Sequence, residues 1–110
     1  MSLSAEYFSK IEMKVGRILE VEDIAQARKP MYRMKIDFGR EIGVKQCVGG
    51  IKAFYSKEDL VGKQVVAVLN LQPKSVAGVI SECMVLASFN DEIISLLRPD
   101  KEMPLGTKVA

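Results

Sequence analysis

Residues 31–38, Met31-Tyr32-Arg33-Met34-Lys35-Ile36-Asp37-Phe38, put Tyr32, Met34, Ile36 and Phe38 on one side of an extended chain and Arg33, Lys35 and Asp37 on the other. Strict alternation of this kind marks a strand with one face in a core and the other in water. Gly39 ends it. Upstream, Lys14–Glu22 is rich in branched residues but its parity slips: Val15, Leu19 and Val21 share one phase and Ile18 has the other. That slip predicts a bulge or bend near Gly16. Downstream of Gly39 and Gly43, Val44–Val48 reads as a third short strand, closed by Gly49-Gly50.

Ser56–Leu60 reads as a capped helical turn, with Ser56 accepting from the Asp59 amide, Asp59 reaching back, and Gly62 stopping it. Gln64–Asn70 is almost continuously apolar, as a strand buried on both faces would be. Leu71–Val79, with Pro73 and Gly78, is expected to be a loop. Cys83–Ala87 supplies a fifth strand and Glu92–Leu97 a sixth candidate, while Ala5–Lys10 suits one helical turn. Short strands at regular spacing, with one small helix between the third and fourth, predict an all-β fold. Its expected form is a five-stranded OB-fold barrel with short N- and C-terminal extensions. A chain of this length is expected to form a single domain.

Composition narrows the chemistry. The chain has 110 residues, 48% of them apolar and 27% charged, and no histidine. Nucleophile pairs that need imidazole are therefore excluded, as are zinc sites built on it. Cys47 and Cys83 have no CxxC spacing, so no metal cluster or disulfide scaffold is expected, and two free thiols suit a reducing cytoplasm. The longest apolar run, Val65–Leu69, falls far short of the ~18–20 residues that span a bilayer. No signal peptide is visible, and no membrane insertion is expected. The acidic clusters Glu20, Glu22, Asp23 and Glu58-Asp59 carry no partner base, phosphate loop or metal spacing, so no catalytic residue and no cofactor is expected.

Positive charge sits in the first half, where residues 1–55 hold ten Lys+Arg against seven Asp+Glu. In an OB barrel, ligands meet the outer face of strands two and three and the adjoining loops. Arg28 and Lys29, in a loop stiffened by Pro30, together with Arg33, Lys35 and Lys45 on those strands, would track a phosphate backbone. There is no tryptophan, and Tyr32 and Phe38 belong to the apolar face. With Phe54 and Tyr55 also read as packing, few rings remain to stack successive bases. A folded RNA held by backbone and shape fits better than a bare single strand. Met34 and Met84 read as core.

Several segments, in order, resemble the tRNA-binding domain family. Lys14-Val15-Gly16-Arg17-Ile18 with Val21-Glu22 is similar to its first strand, and Met31–Gly39 to its second. Val48-Gly49-Gly50-Ile51 and Leu60-Val61-Gly62-Lys63-Gln64-Val65 follow its next turns, and Asn70-Leu71, Pro73, Gly78, Ser81-Glu82, Met84 and Leu86 its later pattern. Gln72, Ala77 and Cys83 depart from it, standing where many members carry lysine, arginine and glycine. Ala27-Arg28-Lys29-Pro30 and Ala77-Gly78 with Ser81-Glu82 are similar to the CsaA branch, described as export-related chaperones. Members are also found appended to methionyl-tRNA synthetases. The resemblance covers about residues 8–108 as the single domain, with residues 1–7 as an N-terminal extension, and implies a non-enzymatic homodimer binding tRNA or similarly folded RNA, with Asn70, Lys74 and Ser81 adding hydrogen bonds or positioning the loop. The alternative it implies is a protein-export chaperone that holds extended or unfolded polypeptide on Met31, Val79 and Ile80. Docking on an aminoacyl-tRNA synthetase is a third expectation.

Overall fold

The structure, a computed structural model, describes residues 1–110. In chain order its elements are α1 (Ala5–Ser9), β1 (Met13–Asp23), β2 (Tyr32–Asp37), β3 (Val44–Gly49), α2 (Lys57–Leu60) and β4 (Gln64–Val68). Then come β5 (Lys74–Val76), β6 (Val79–Ser81), β7 (Met84–Val85), β8 (Ala87–Phe89), β9 (Ile94–Leu96) and β10 (Lys108–Val109). The main sheet runs β3-β2-β1-β4-β7, all antiparallel neighbours, with β10 added to the start of β1. A parallel bridge between Cys47 and Cys83 joins the two ends of this order and curls the sheet into the five-stranded OB barrel. No helix is long and apolar enough to cross a membrane.

The alternation of residues 31–38 fixes the barrel interior. Met34 and Ile36 are fully buried and Tyr32 and Phe38 nearly so, packed with Ile18, Cys47, Leu60 and Val65 in one core cluster. Every residue of β4 is buried, Val65 and Ala67 in that cluster and Val66 and Val68 in a smaller one with Met13 on the outer side. This is the two-faced burial its continuous apolar run predicts.

The parity slip in β1 has a different centre from the expected one. The register with β2 shifts between Ile18 and Glu20, so the extra residue is Leu19, left exposed. Before the bulge even-numbered Ile18 faces the core; after it odd-numbered Val21 does. Gly16 answers to close approach instead: a Cβ there would lie 2.6 Å from the Phe38 ring. The α2 cap forms through Ser56 Oγ, which accepts from the Asp59 amide at 3.2 Å, whereas the return bond from Asp59 is not made. Leu71–Val79 is not a plain loop. It holds most of the β5–β6 hairpin, whose turn puts Ala77 at φ 50° and Gly78 at φ 84°, the left-handed pair of a two-residue hairpin turn. The fifth strand breaks into β7 and β8.

A candidate groove beside the closing seam

β3 is an edge strand, and edge strands leave backbone groups unpaired. Here β6 and Glu82 just after it satisfy them. Val48 N–H donates to Ser81 Oγ at 3.0 Å, Gln46 N–H to Glu82 Oε1 at 2.9 Å, and Glu82 N–H returns a bond to the Gln46 carbonyl at 2.7 Å. Gln46 Nε2 adds a bond to the Ile80 carbonyl at 2.9 Å, and Ser81 Oγ donates onward to the Cys83 carbonyl at 3.0 Å. The hairpin is thereby held over β3, leaving a groove beneath it.

The groove has two connected parts. One, of about 250 Å³, is floored by Met31, Val48, Val76 and Met84, with Lys74 and Glu82 among its polar lining. The other, about 360 Å³, lies between the β1–β2 loop (Gln26, Ala27, Arg28, Lys29) and the hairpin turn, and shares Met31 and Val76 with the first. The result is an apolar floor with cations at its rim. No aromatic residue lines either part. Met84, expected in the core, is 47% exposed and belongs to this floor, because it pairs with outward-facing Val68.

The structure separates the expected site residues. Arg28, Lys29 and Lys74 stand at the groove. Arg33 and Lys35 lie on the outer face of β2, each opposite a carboxylate residue of β1: Arg33 is ion-paired with Glu22, and Lys35 faces Glu20 in the register. Lys45 departs from this strip. It pairs with core-facing Ile36, so it points to the inner side and lines a third cavity of about 820 Å³ at the barrel mouth with Lys14, Phe38 and Arg40. Arg28, Lys29, Lys35 and Lys74 make no ion pair. Asn70 spends its amide on backbone, accepting from Glu12 N–H at 2.9 Å and donating to the Lys10 carbonyl at 2.7 Å. Ser81 is likewise committed to the seam. Met31 faces the groove, and Val79 shares the hairpin face of Val76; Ile80, opposite Ser75, lies on the other face and is 50% exposed.

Sequence reasoning misses Val76 and Met84, since a three-residue strand carries no period and Met84 sits in a segment patterned as an interior strand. It also left aside the N-terminal turn: α1 has no buried residue, with Tyr7 and Phe8 exposed.

At the far end of β1, Asp23 accepts from Lys52 and from Lys57, each at 2.9 Å. The Lys57 hydrogen bond, then that of Lys52, holds the Asp23 carboxyl below its ordinary range, and Asp23 raises Lys57 in turn. No three His, Cys, Asp or Glu residues converge as a metal-holding group.

Residues 13–108 match the family described as "Putative tRNA binding domain". Among curated proteins, the methionine–tRNA ligase of Methanococcus vannielii is 42% identical over 107 residues, covering 97% of this chain and 16% of the ligase. The chain thus spans about a sixth of the length of that relative. Among solved structures, chaperone CsaA from Bacillus anthracis superposes with a TM-score of 0.93 at 40% identity, each chain covered in full. The MetRS-related protein from Pyrococcus horikoshii gives 0.89 at 31% identity, again over the whole of both chains.

Proposed function

The chain belongs to the tRNA-binding domain family, and on that premise we propose that it is a non-enzymatic cytoplasmic protein that binds tRNA or a similarly folded RNA as a homodimer. The observation that carries this reading is the groove rim, where Arg28, Lys29 and Lys74 stand free of ion pairs. Lys35 extends the charge onto the adjoining sheet face. Free cations neutralise phosphates without first breaking a protein contact. Arg33 contributes less, because Glu22 competes for its guanidinium. Asn70 and Ser81 act as positioning residues, Asn70 fixing the segment before β1 and Ser81 hanging the hairpin over β3. The absence of stacking rings in the groove favours recognition of backbone and shape. Lys45, on the inner side, would meet RNA only at the barrel mouth.

Dimerisation is supported by α1. A helix of five residues is unstable by itself, and this one buries nothing in its own barrel. A second copy covering Tyr7 and Phe8 would explain its formation, and would double the basic rim by two-fold symmetry. Residues 8–108 are proposed as the folding domain.

A second reading rests on the groove's apolar floor. Met31, Val48, Val76 and Met84 offer flexible, polarisable contacts suited to an extended polypeptide, in keeping with the chaperone names of the similar structures. Docking on a synthetase is supported by the ligase relatives.

Fluorescence anisotropy of tRNA, against an unstructured RNA of equal length and at several salt concentrations, tests the proposal. The expected result is preferential tRNA binding with a steep salt slope. Replacing both Arg28 and Lys29 with glutamine should flatten that slope by about one to two phosphate contacts, with sedimentation giving a dimer throughout. Equal, feeble binding of both RNAs, with suppression of aggregation of an unfolded client, would transfer the groove to polypeptide.

A further inference from the structure

The two cysteines take no part in the function proposed above. Cys47 lies in β3 and Cys83 just before β7, and they are bridge partners across the seam that closes the barrel. Neighbouring strands run about 4.8 Å apart, and a disulfide joins Cα atoms about 4.4–6.8 Å apart. Both residues are free thiols buried in the same core cluster. Cys47 Sγ donates to the Cys83 carbonyl at 2.8 Å, and Cys83 Sγ to the Gln46 carbonyl at 3.9 Å. A hydrogen bond from Cys83 favours the Cys47 thiolate and lowers its pKa; the same bond, then burial, pushes Cys83 up. Cys83, 5% exposed, also lines the smaller part of the groove, as does Lys74, and this is the side from which a small anionic reagent would reach the pair.

We propose that Cys47 and Cys83 form a thiol–disulfide site. A low-molecular-weight disulfide such as glutathione disulfide oxidises the pair, and the resulting bond closes the barrel seam covalently. One cysteine thiolate attacks a sulfur of the incoming disulfide; that S–S bond breaks, a mixed disulfide forms and one small thiolate leaves. The second cysteine loses its proton, attacks the protein sulfur of the mixed disulfide and expels the second small thiolate. Each expelled thiolate takes up the proton its attacker released, so two protein thiols are oxidised and one small disulfide is reduced to two thiols. Oxidation removes the Cys47 S–H bond to the Cys83 carbonyl, leaving that carbonyl to Ser81 alone, and so alters the groove floor. The site stands on the seam's geometry and does not depend on what the groove binds.

The test is to equilibrate the native protein with graded ratios of oxidised to reduced glutathione, quench with acid, alkylate and weigh it. An intramolecular disulfide should appear, with neither cysteine alkylated and no glutathione adduct. It should form at an oxidant ratio at least about tenfold lower than the urea-unfolded chain requires, because native contacts hold the pair together. Cys83→Gly, which restores the residue of the family pattern, should show none. A native chain that stays fully alkylated, carries only an adduct, links to a second chain, or closes at the same ratio as the unfolded chain overturns the proposal. That native-to-unfolded comparison uses the unaltered protein, so it decides the matter even if the variant does not fold.

Discussion

Up to Val68 the chain builds strands of 11, 6, 6 and 5 residues; beyond it every strand has two or three. Burial divides at the same point, for Cys83 and Leu96 alone are buried after Val68. The first region is held by ladders and apolar packing, and its side chains are placed by alternation. The second is held by turns and by side chains bonded to backbone, with the hairpin hung from β3 through Gln46, Ser81 and Glu82. The groove lies where the two regions meet, lined by Met31, Val48 and the β1–β2 loop from the first and by Lys74, Val76 and Met84 from the second.

The largest effect should come from truncating one apolar side chain in each region. Met34 is fully buried, so Met34→Ala should cost about 3 kcal/mol through lost transfer energy and a cavity. Val76 is half-buried and lines the groove, and Val76→Ala should cost less than about 1 kcal/mol. Urea unfolding midpoints would measure both. Comparable costs would mean that the hairpin belongs to the same cooperative core and that the division at Val68 is only one of strand length.

A smaller effect sharpens the comparison at the join. Ser81→Ala removes the acceptor of Val48 N–H and one donor to the Cys83 carbonyl. Losing a neutral hydrogen bond of this sort costs about 1 kcal/mol. The loss should be local: exchange of the Val48 amide should quicken by roughly tenfold, while amides in the β1–β4 ladder keep their protection. Uniform acceleration across both regions would instead place Ser81 among the residues that hold up the whole barrel.

The same contrast explains what could be read from the sequence. Tyr32, Met34, Ile36 and Phe38 announced their face because a two-residue period has one structural meaning. The unbroken run from Gln64 did the same for β4. The bulge was visible as a slipped parity but not at Leu19, because only the pairing with β2 says which residue is extra. Nothing periodic marks a three-residue strand, so β5 and β6 looked like loop, although Ala77-Gly78 carries the small-residue signature of the turn. Lys45 looked like part of a basic strip because strand phase relative to the core was not fixed for so short a segment. Asn70 and Ser81 stand out in the sequence as polar residues, but what they bond does not. Their partners, the Lys10 carbonyl, Glu12 N–H and Val48 N–H, are 60, 58 and 33 residues away, distances that no local pattern reports.

The smallest expected effect lies in the first region, at its solvent edge. Asp23 ties the end of β1 to Lys52 and to Lys57 of α2, yet all three side chains are largely in water. Such a clamp is screened by salt and contributes far less than packing does. Its pH dependence follows from the direction of each shift. Asp23 is held below its ordinary value of 3.8, so its contribution is complete above that pH and disappears as the pH falls through the lower folded value. Lys57 is raised above 10.5, so its share is complete below that pH and disappears only as the pH rises through the higher folded value. Between those limits the clamp is insensitive to pH. Asp23→Asn should therefore lower the urea midpoint slightly at neutral pH and low salt, and the gap to the parent protein should shrink in concentrated salt or at about pH 2. A gap that survives acid and salt unchanged would show that Asp23 acts through its shape and hydrogen bonds to backbone. One as large as that of Met34→Ala would make an exposed ion pair equal to buried packing, contrary to the division on which the comparison of the two regions stands.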